Sequence, residues 1–258
     1  MLTSLLPGVR EVRTPVASGF AWLLVGWLAL AGHLPRSRPA QHVFATLWDL
    51  GTYVGKGGLL VVVSFAAYLI GAFLEVDPMH LWEHGGRPRW INHLRDVARR
   101  GRFHHSGIYP LSDQTRRDLH DFTAEGYRFD SAQDPLLYLP AGIMREERQL
   151  ATRLQAANVE LYNRYDRALA EATFRINVTP PLVVLAVVLA WGSGAGAWVA
   201  VAVTAAAGVA GVLFFRQGVR CAIRSRDIIV QAVVAEVVRS RFLESLGQAG
   251  EATEPAPA

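Results

Sequence analysis

Residues 176–215 contain no Asp, Glu, Lys or Arg over 40 consecutive positions, and this run constrains the chain more than any other feature. At about 1.5 Å per residue it is long enough to cross a hydrocarbon layer of ~30 Å twice. Its middle, 191–198, reads Trp-Gly-Ser-Gly-Ala-Gly-Ala-Trp. That is a flexible turn with a Trp at each edge, where the ring suits a membrane interface. The run predicts a tight helical hairpin of two spans.

Two further runs add two spans. Between Arg13 and Arg36, 22 residues lack charge, with the apolar stretch 16–34 inside. Basic residues ahead of it also suit a secretory signal, but the apolar region is too long and no small-x-small cleavage site follows. The second span, 57–74, is bounded by Lys56 and Glu75. The expected fold class is an all-α integral membrane protein with four transmembrane helices, a helical cytoplasmic insert between spans 2 and 3, and a helical C-terminal tail. The first transmembrane pair occupies 1–75, the cytoplasmic region 76–175, the second hairpin 176–215 and a cytoplasmic helix 216–246. The final stretch, 247–258, is small and acidic with two prolines and reads as a disordered tail.

Orientation follows from the basic residues. Of the 26, all but Lys56 are Arg, a bias of GC-rich bacterial genomes, and 23 fall on one side of this layout against 3 on the other. The positive-inside rule then predicts a bacterial inner-membrane protein with both termini in the cytoplasm. The net charge of +4 is met most simply by anionic lipid, and no nucleic-acid partner is expected. The single cysteine, Cys221, excludes an intramolecular disulfide framework and a Cys-based zinc ribbon. No Asp, Glu, Lys or Arg lies within a span, which counts against a proton-coupled transporter. A pore lined by hydroxyls, backbone and end charges is compatible with such spans.

Small residues mark the faces expected to pack: Ser64, Ala67 and Gly71 on the second span, and Thr204, Gly208 and Gly211, with Ala207, on the fourth. Spacing of three and four residues lets helix backbones approach closely in lipid. Val43, Phe44, Leu47, Trp48 and Leu50 in the loop 35–56 suggest a short amphipathic helix at the outer interface, or a cap on the bundle. Arg216, Arg220 and Arg224 share a stripe suited to lipid phosphates at the inner surface.

In the cytoplasmic region, 87–101 reads as a helix with Trp90, Leu94 and Val97 on one face. Ser112 caps a second helix running to Gly126, with Leu119 and Phe122 inward. Pro135, Pro140 and Gly142 mark an irregular loop over 129–142. A continuous helix then runs from 145 to 175, about 46 Å at the standard rise. Leu150, Leu154 and Leu161 lie on its apolar face, and Glu160 and Arg164 form an i,i+4 pair on another. Pro180-Pro181 predicts a kink or break where it meets the third span. The tail segment 228–238 is too apolar for a solvated helix, so Ile229, Val233 and Val237 require a partner surface. The candidates are the Leu150–Leu154–Leu161 stripe or another subunit.

One motif carries chemistry. His80-Leu-Trp-Glu83-His84 matches the H-x-x-E-H pattern of inverted zinc peptidases, in which two His on one helical face bind zinc and the Glu is the general base. Glu160 lies at a suitable distance downstream for a third ligand. The motif follows a span directly, however, and Trp82 and the histidines suit an interfacial anchor equally well. His104, His105, His120 and Asp121 invite an HD-type phosphohydrolase reading, whose remaining ligands have no counterpart here. Gly51, Gly55 and Lys56 do not make a phosphate loop, which needs one more residue between the glycines and a hydroxyl after the Lys.

Two stretches, 6–15 (Leu-Pro-Gly-Val-Arg-Glu-Val-Arg-Thr-Pro) and 161–175 (Leu-Tyr-Asn-Arg-Tyr-Asp-Arg-Ala-Leu-Ala-Glu-Ala-Thr-Phe-Arg), resemble uncharacterised multi-pass membrane proteins of actinobacteria. That resemblance implies four spans and no particular activity. The order of two spans, a large cytoplasmic helical insert and two more spans is also similar to bestrophin-type anion channels, in layout alone. The expected function is a non-enzymatic membrane protein that self-associates through its cytoplasmic helices, as a pore or a membrane effector, with no cofactor. One alternative is a membrane-bound zinc hydrolase using His80, Glu83 and His84. Another is a scaffold that binds a cytoplasmic protein.

Overall fold

The computed structural model describes residues 6–32, 38, 42–78, 111–126 and 135–252. Among these residues every regular element is a helix. In chain order they are α1 (Leu6–Leu30), α2 (His42–Leu74), α3 (Asp113–Gly126), α4 (Pro135–Arg145), α5 (Glu147–Ala157), α6 (Val159–Gly192), α7 (Ala197–Val234) and α8 (Arg241–Ala252). Four of them are long and apolar enough to cross a membrane: Val12–Leu30 within α1, Gly57–Leu74 within α2, and the helices α6 and α7. The chain divides into two compact units, one of 1–76 with 173–215 and one of 77–172 with 216–258. Helices α6 and α7 contribute residues to both.

In the first unit α1 lies on α2 with almost no side chain between them. A Cβ added at Gly19 would sit 1.7 Å from the carbonyl oxygen of Ala67, and one at Gly71 would sit 1.7 Å from that of Pro15. Ala67 and Gly71, singled out by their spacing, are thus in backbone contact with α1, while Ser64 is half-buried beside them. The first span differs from its expected bounds of 16–34. Its helix starts earlier, taking in Arg13 and Pro15, and gives way to a turn at Ala31 and Gly32. On the hairpin, Gly211 meets Val183, and Trp191 Nε1 donates to Thr204 Oγ1 at 3.3 Å. Gly208 has open space where a Cβ would be.

Two breaks move relative to the sequence expectation. Helix α6 stays helical through Pro180 and Pro181. Within that stretch Asn177 Nδ2 and Thr179 Oγ1 donate to the carbonyls of Thr173 and Arg175, one turn back. The interruption comes instead at Asn158, with φ −150° and ψ 94°. Its N–H closes α5 on the Leu154 carbonyl at 2.7 Å, and its Oδ1 accepts from Leu161 N at 3.0 Å to open α6. The expected continuous helix over 145–175 is therefore two helices.

The second unit holds the larger buried core, built from Leu111, Leu119, Leu139, Ile143, Met144, Leu150, Leu154, Tyr165, Ile229, Val230 and Val233. Ser112 caps α3 as expected, its Oγ accepting from Thr115 N at 3.3 Å, and Leu119 and Phe122 face the core. The segment expected as a loop over 129–142 is helical from Pro135. Proline is well placed as a first helical residue, where its missing N–H has no intrahelical acceptor to lose. The expected disordered tail is helical as far as Ala252. The expected helix over 87–101 lies outside the described residues.

Candidate functional site

Where the chain leaves α2, Asn177 holds it against the start of the apolar part of α6. Val76 N donates to Asn177 Oδ1 at 2.6 Å, and Asn177 Nδ2 donates to the Val76 carbonyl at 2.9 Å. A third bond runs from Nδ2 to the Thr173 carbonyl at 2.9 Å. The side chain is buried and its amide engaged at both ends. At the same level Arg13 stacks over the Phe174 ring at 4.4 Å, and Arg175 lies 5.9 Å from the centre of the Phe214 ring. A clamp of amides and stacked guanidinium groups thus joins α1, the exit of α2, α6 and α7 within the first unit. The sequence signal is an Asn one residue into a 40-residue uncharged run.

The second unit contains a polar centre inside its apolar core. Arg226 is 1% exposed and Glu147 8%. The Tyr165 hydroxyl donates to Glu147 Oε1 at 3.2 Å. Burial, then the charge and hydrogen bond of Glu147, hold the Tyr165 hydroxyl far above its ordinary pKa, and Arg226 opposes them. The phenol is therefore a donor that binds helices together and has no access to the ionised form that a base or nucleophile would need. Arg226 could have been recognised by its position. It is two residues off the Arg216–Arg220–Arg224 stripe and flanked by Ala222, Ile223, Ile229 and Val230, all buried.

A second cluster ties α3 to α7. Asp227 Oδ1 accepts from Ser112 N at 2.9 Å, and Gln231 Nε2 donates to Thr115 Oγ1 at 3.4 Å. Burial raises the Asp227 carboxyl above its ordinary range, and the hydrogen bonds from Ser112 and Thr115 work against that shift. Asp227 lies twelve residues past the end of the uncharged run. A third cluster fixes α8: Glu146 Oε2 accepts from Ser240 Oγ at 3.1 Å and from Arg241 N at 3.0 Å.

The apolar stripes that had wanted a partner cover each other. Leu150, Leu154, Ile229 and Val233 are buried in one cluster, with Leu161 packed against it. Val237 does not join them and is 36% exposed. Helix α7 ends at Val234, and Glu236 takes a left-handed conformation with φ 55°. The bonds from Val237 N to the Ala232 carbonyl and from Glu236 N to the Val233 carbonyl form a Schellman motif. The turn rotates Val237 off the face and brings Val238, 4% exposed, into the core instead.

Of the arginine stripe, Arg220 and Arg224 are exposed and Arg216 is half-exposed. His80, Glu83 and His84 lie outside the described residues, as do His104 and His105. Glu160 is exposed and bound to Arg164 at 2.5 Å, the helix-face pair expected from its spacing. His120 and Asp121 are neighbours on the exposed side of α3, 3.4 Å apart. Among the described residues no three His, Cys, Asp or Glu side chains are grouped to hold a metal ion. Compared with protein-family models, curated proteins and solved structures, the chain has no match. Neither resemblance noted in the sequence therefore carries an argument about function.

Proposed function

We propose that this chain is a non-enzymatic membrane protein whose four spans anchor a self-complete helical scaffold for a protein partner, with both termini on the cytoplasmic side of a bacterial inner membrane. The observation that carries the reading is the burial of Leu150 and Leu154 with Ile229, Val230 and Val233 inside one chain. It removes the reason for holding that the cytoplasmic stripes need a second copy, because one chain folds the unit by itself. The buried groups Glu147, Tyr165 and Arg226, with the half-buried Asp227, serve its cohesion. The open arginines at 216, 220 and 224 favour contact with lipid phosphates at the inner surface. The orientation draws support from the uneven distribution of basic residues.

A photoreactive amino acid placed at the exposed positions Arg117, Arg148 or Glu244 tests the scaffold reading in intact cells. A discrete adduct with a second polypeptide, absent when the probe is at Val61 on the second span, is the expected result. Adducts with another copy of this chain alone would transfer the reading to self-association, which the open face at Gly208 favours. No adduct from any of the three positions overturns it.

A further inference from the structure

Helix α2 is two helices joined at Gly55, whose φ of 68° and ψ of 178° are non-helical and essentially reserved for glycine. The second piece, Gly57–Leu74, is the candidate span. Its 18 residues extend about 27 Å, which takes up the hydrocarbon thickness and leaves no length over for the first piece. Residues 42–54 therefore begin where the apolar layer ends, and the break at Gly55 releases them from the axis of the span.

Leu50, Tyr53 and Val54, at three- and four-residue spacing, are 54%, 90% and 38% exposed, so no described part of the chain covers that face. Thr52 lies on the opposite side, next to Trp48, 41% exposed, and Asp49 lies on the flank one turn before Tyr53; the polar atoms of Asp49 and Thr52 have partners. Arg38 donates to both Asp49 oxygens, at 3.0 and 2.6 Å, and Thr52 Oγ1 donates to the Trp48 carbonyl at 3.0 Å. A cap on the bundle would bury Leu50 and Tyr53, which the structure leaves open. The side chains of Val43, Phe44 and Leu47 lie outside the described residues.

We infer that the 42–54 helix lies in the membrane interface, with Leu50, Tyr53 and Val54 turned to the acyl boundary and the Arg38–Asp49 pair turned to water. The inference rests on reading 57–74 as a span. Continuity with that span selects the bilayer as the occupant over a second copy of the chain. Tyr53 beside the boundary also suits an amphipathic ring with one wet end. The tight pairing of Asp49 reduces what it costs to hold a carboxylate this close to lipid.

Spin labels on single cysteines test this in the full-length Cys221→Ser chain, reconstituted in liposomes of phosphatidylethanolamine and phosphatidylglycerol. Positions 50 and 53 should be reached by oxygen and shielded from a water-soluble nickel chelate, at shallower depth than position 62, while position 49 should be open to the chelate. Chelate access at 50 and 53 equal to that at 49, with 62 still shielded, overturns the inference and leaves the span intact. Shielding of 50 and 53 from both reagents also overturns it, because it means a protein cover. Chelate access at 62 removes the span reading, and this inference with it. If a labelled chain does not insert, hydroxyl-radical footprinting of the unaltered protein in liposomes decides. Tyr53 protected relative to the exposed His120 is expected, and equal oxidation overturns the inference.

Discussion

Glu236 occupies a conformation that a side chain resists. Its φ of 55° places a β-carbon where glycine is ordinarily found at a helix end, and the Schellman bonds around it hold the residue there. Glu236→Gly should stabilise the protein by about 1 kcal/mol, the left-handed penalty less the added freedom of the unfolded chain. Thermal unfolding in detergent would register it as a rise of a few degrees. Asp227 gives a prediction in pH. Its folded pKa is raised, so its contribution to stability is complete below the ordinary carboxylate range and is lost as pH climbs through the raised value. Asp227→Asn should keep the bond from Ser112 N, show no loss of stability at neutral pH, and flatten the pH dependence of Tm just above the ordinary range. A steeper profile in the variant would refute this assignment.

Between elements, the contacts turn on single small or polar residues. Gly19→Ala places a methyl group against the Ala67 carbonyl and should weaken the α1–α2 pair by about 1–3 kcal/mol, whereas Gly208→Ala, in open space inside a helix, should raise stability by about 0.5–1 kcal/mol. Asn158→Ala removes a cap that serves two helices and should lower stability by about 1 kcal/mol while raising helix content by circular dichroism. The sequence was read well where a pattern is local. Ser112 as a cap, the Glu160–Arg164 pair and the hairpin turn all follow from spacing over a few residues. It was read poorly where two signals compete. The apolar repeat runs unbroken past Asn158, so periodicity hides the break, and Pro180-Pro181 argue for a break where the helix continues. The role of Asn177 is not legible locally because its partner, Val76, lies 101 positions away.

For the whole molecule, the uncharged runs made the four long apolar helices legible from composition alone, since no other use of 40 uncharged residues is economical. The sequence also made plain that two apolar stripes needed cover, without indicating that they would cover each other. That pairing joins residues about 80 positions apart, and nothing in either stripe encodes its partner. The proposed scaffold stands on it. Electron–electron distance measurement between spin labels at Thr152 and Ala235, both exposed on the elements that carry the stripes, tests it directly in reconstituted full-length Cys221→Ser protein. A narrow distance that persists when labelled chains are diluted with excess unlabelled protein is the predicted result. A distance that vanishes on dilution would place the pairing between chains and contradict the account.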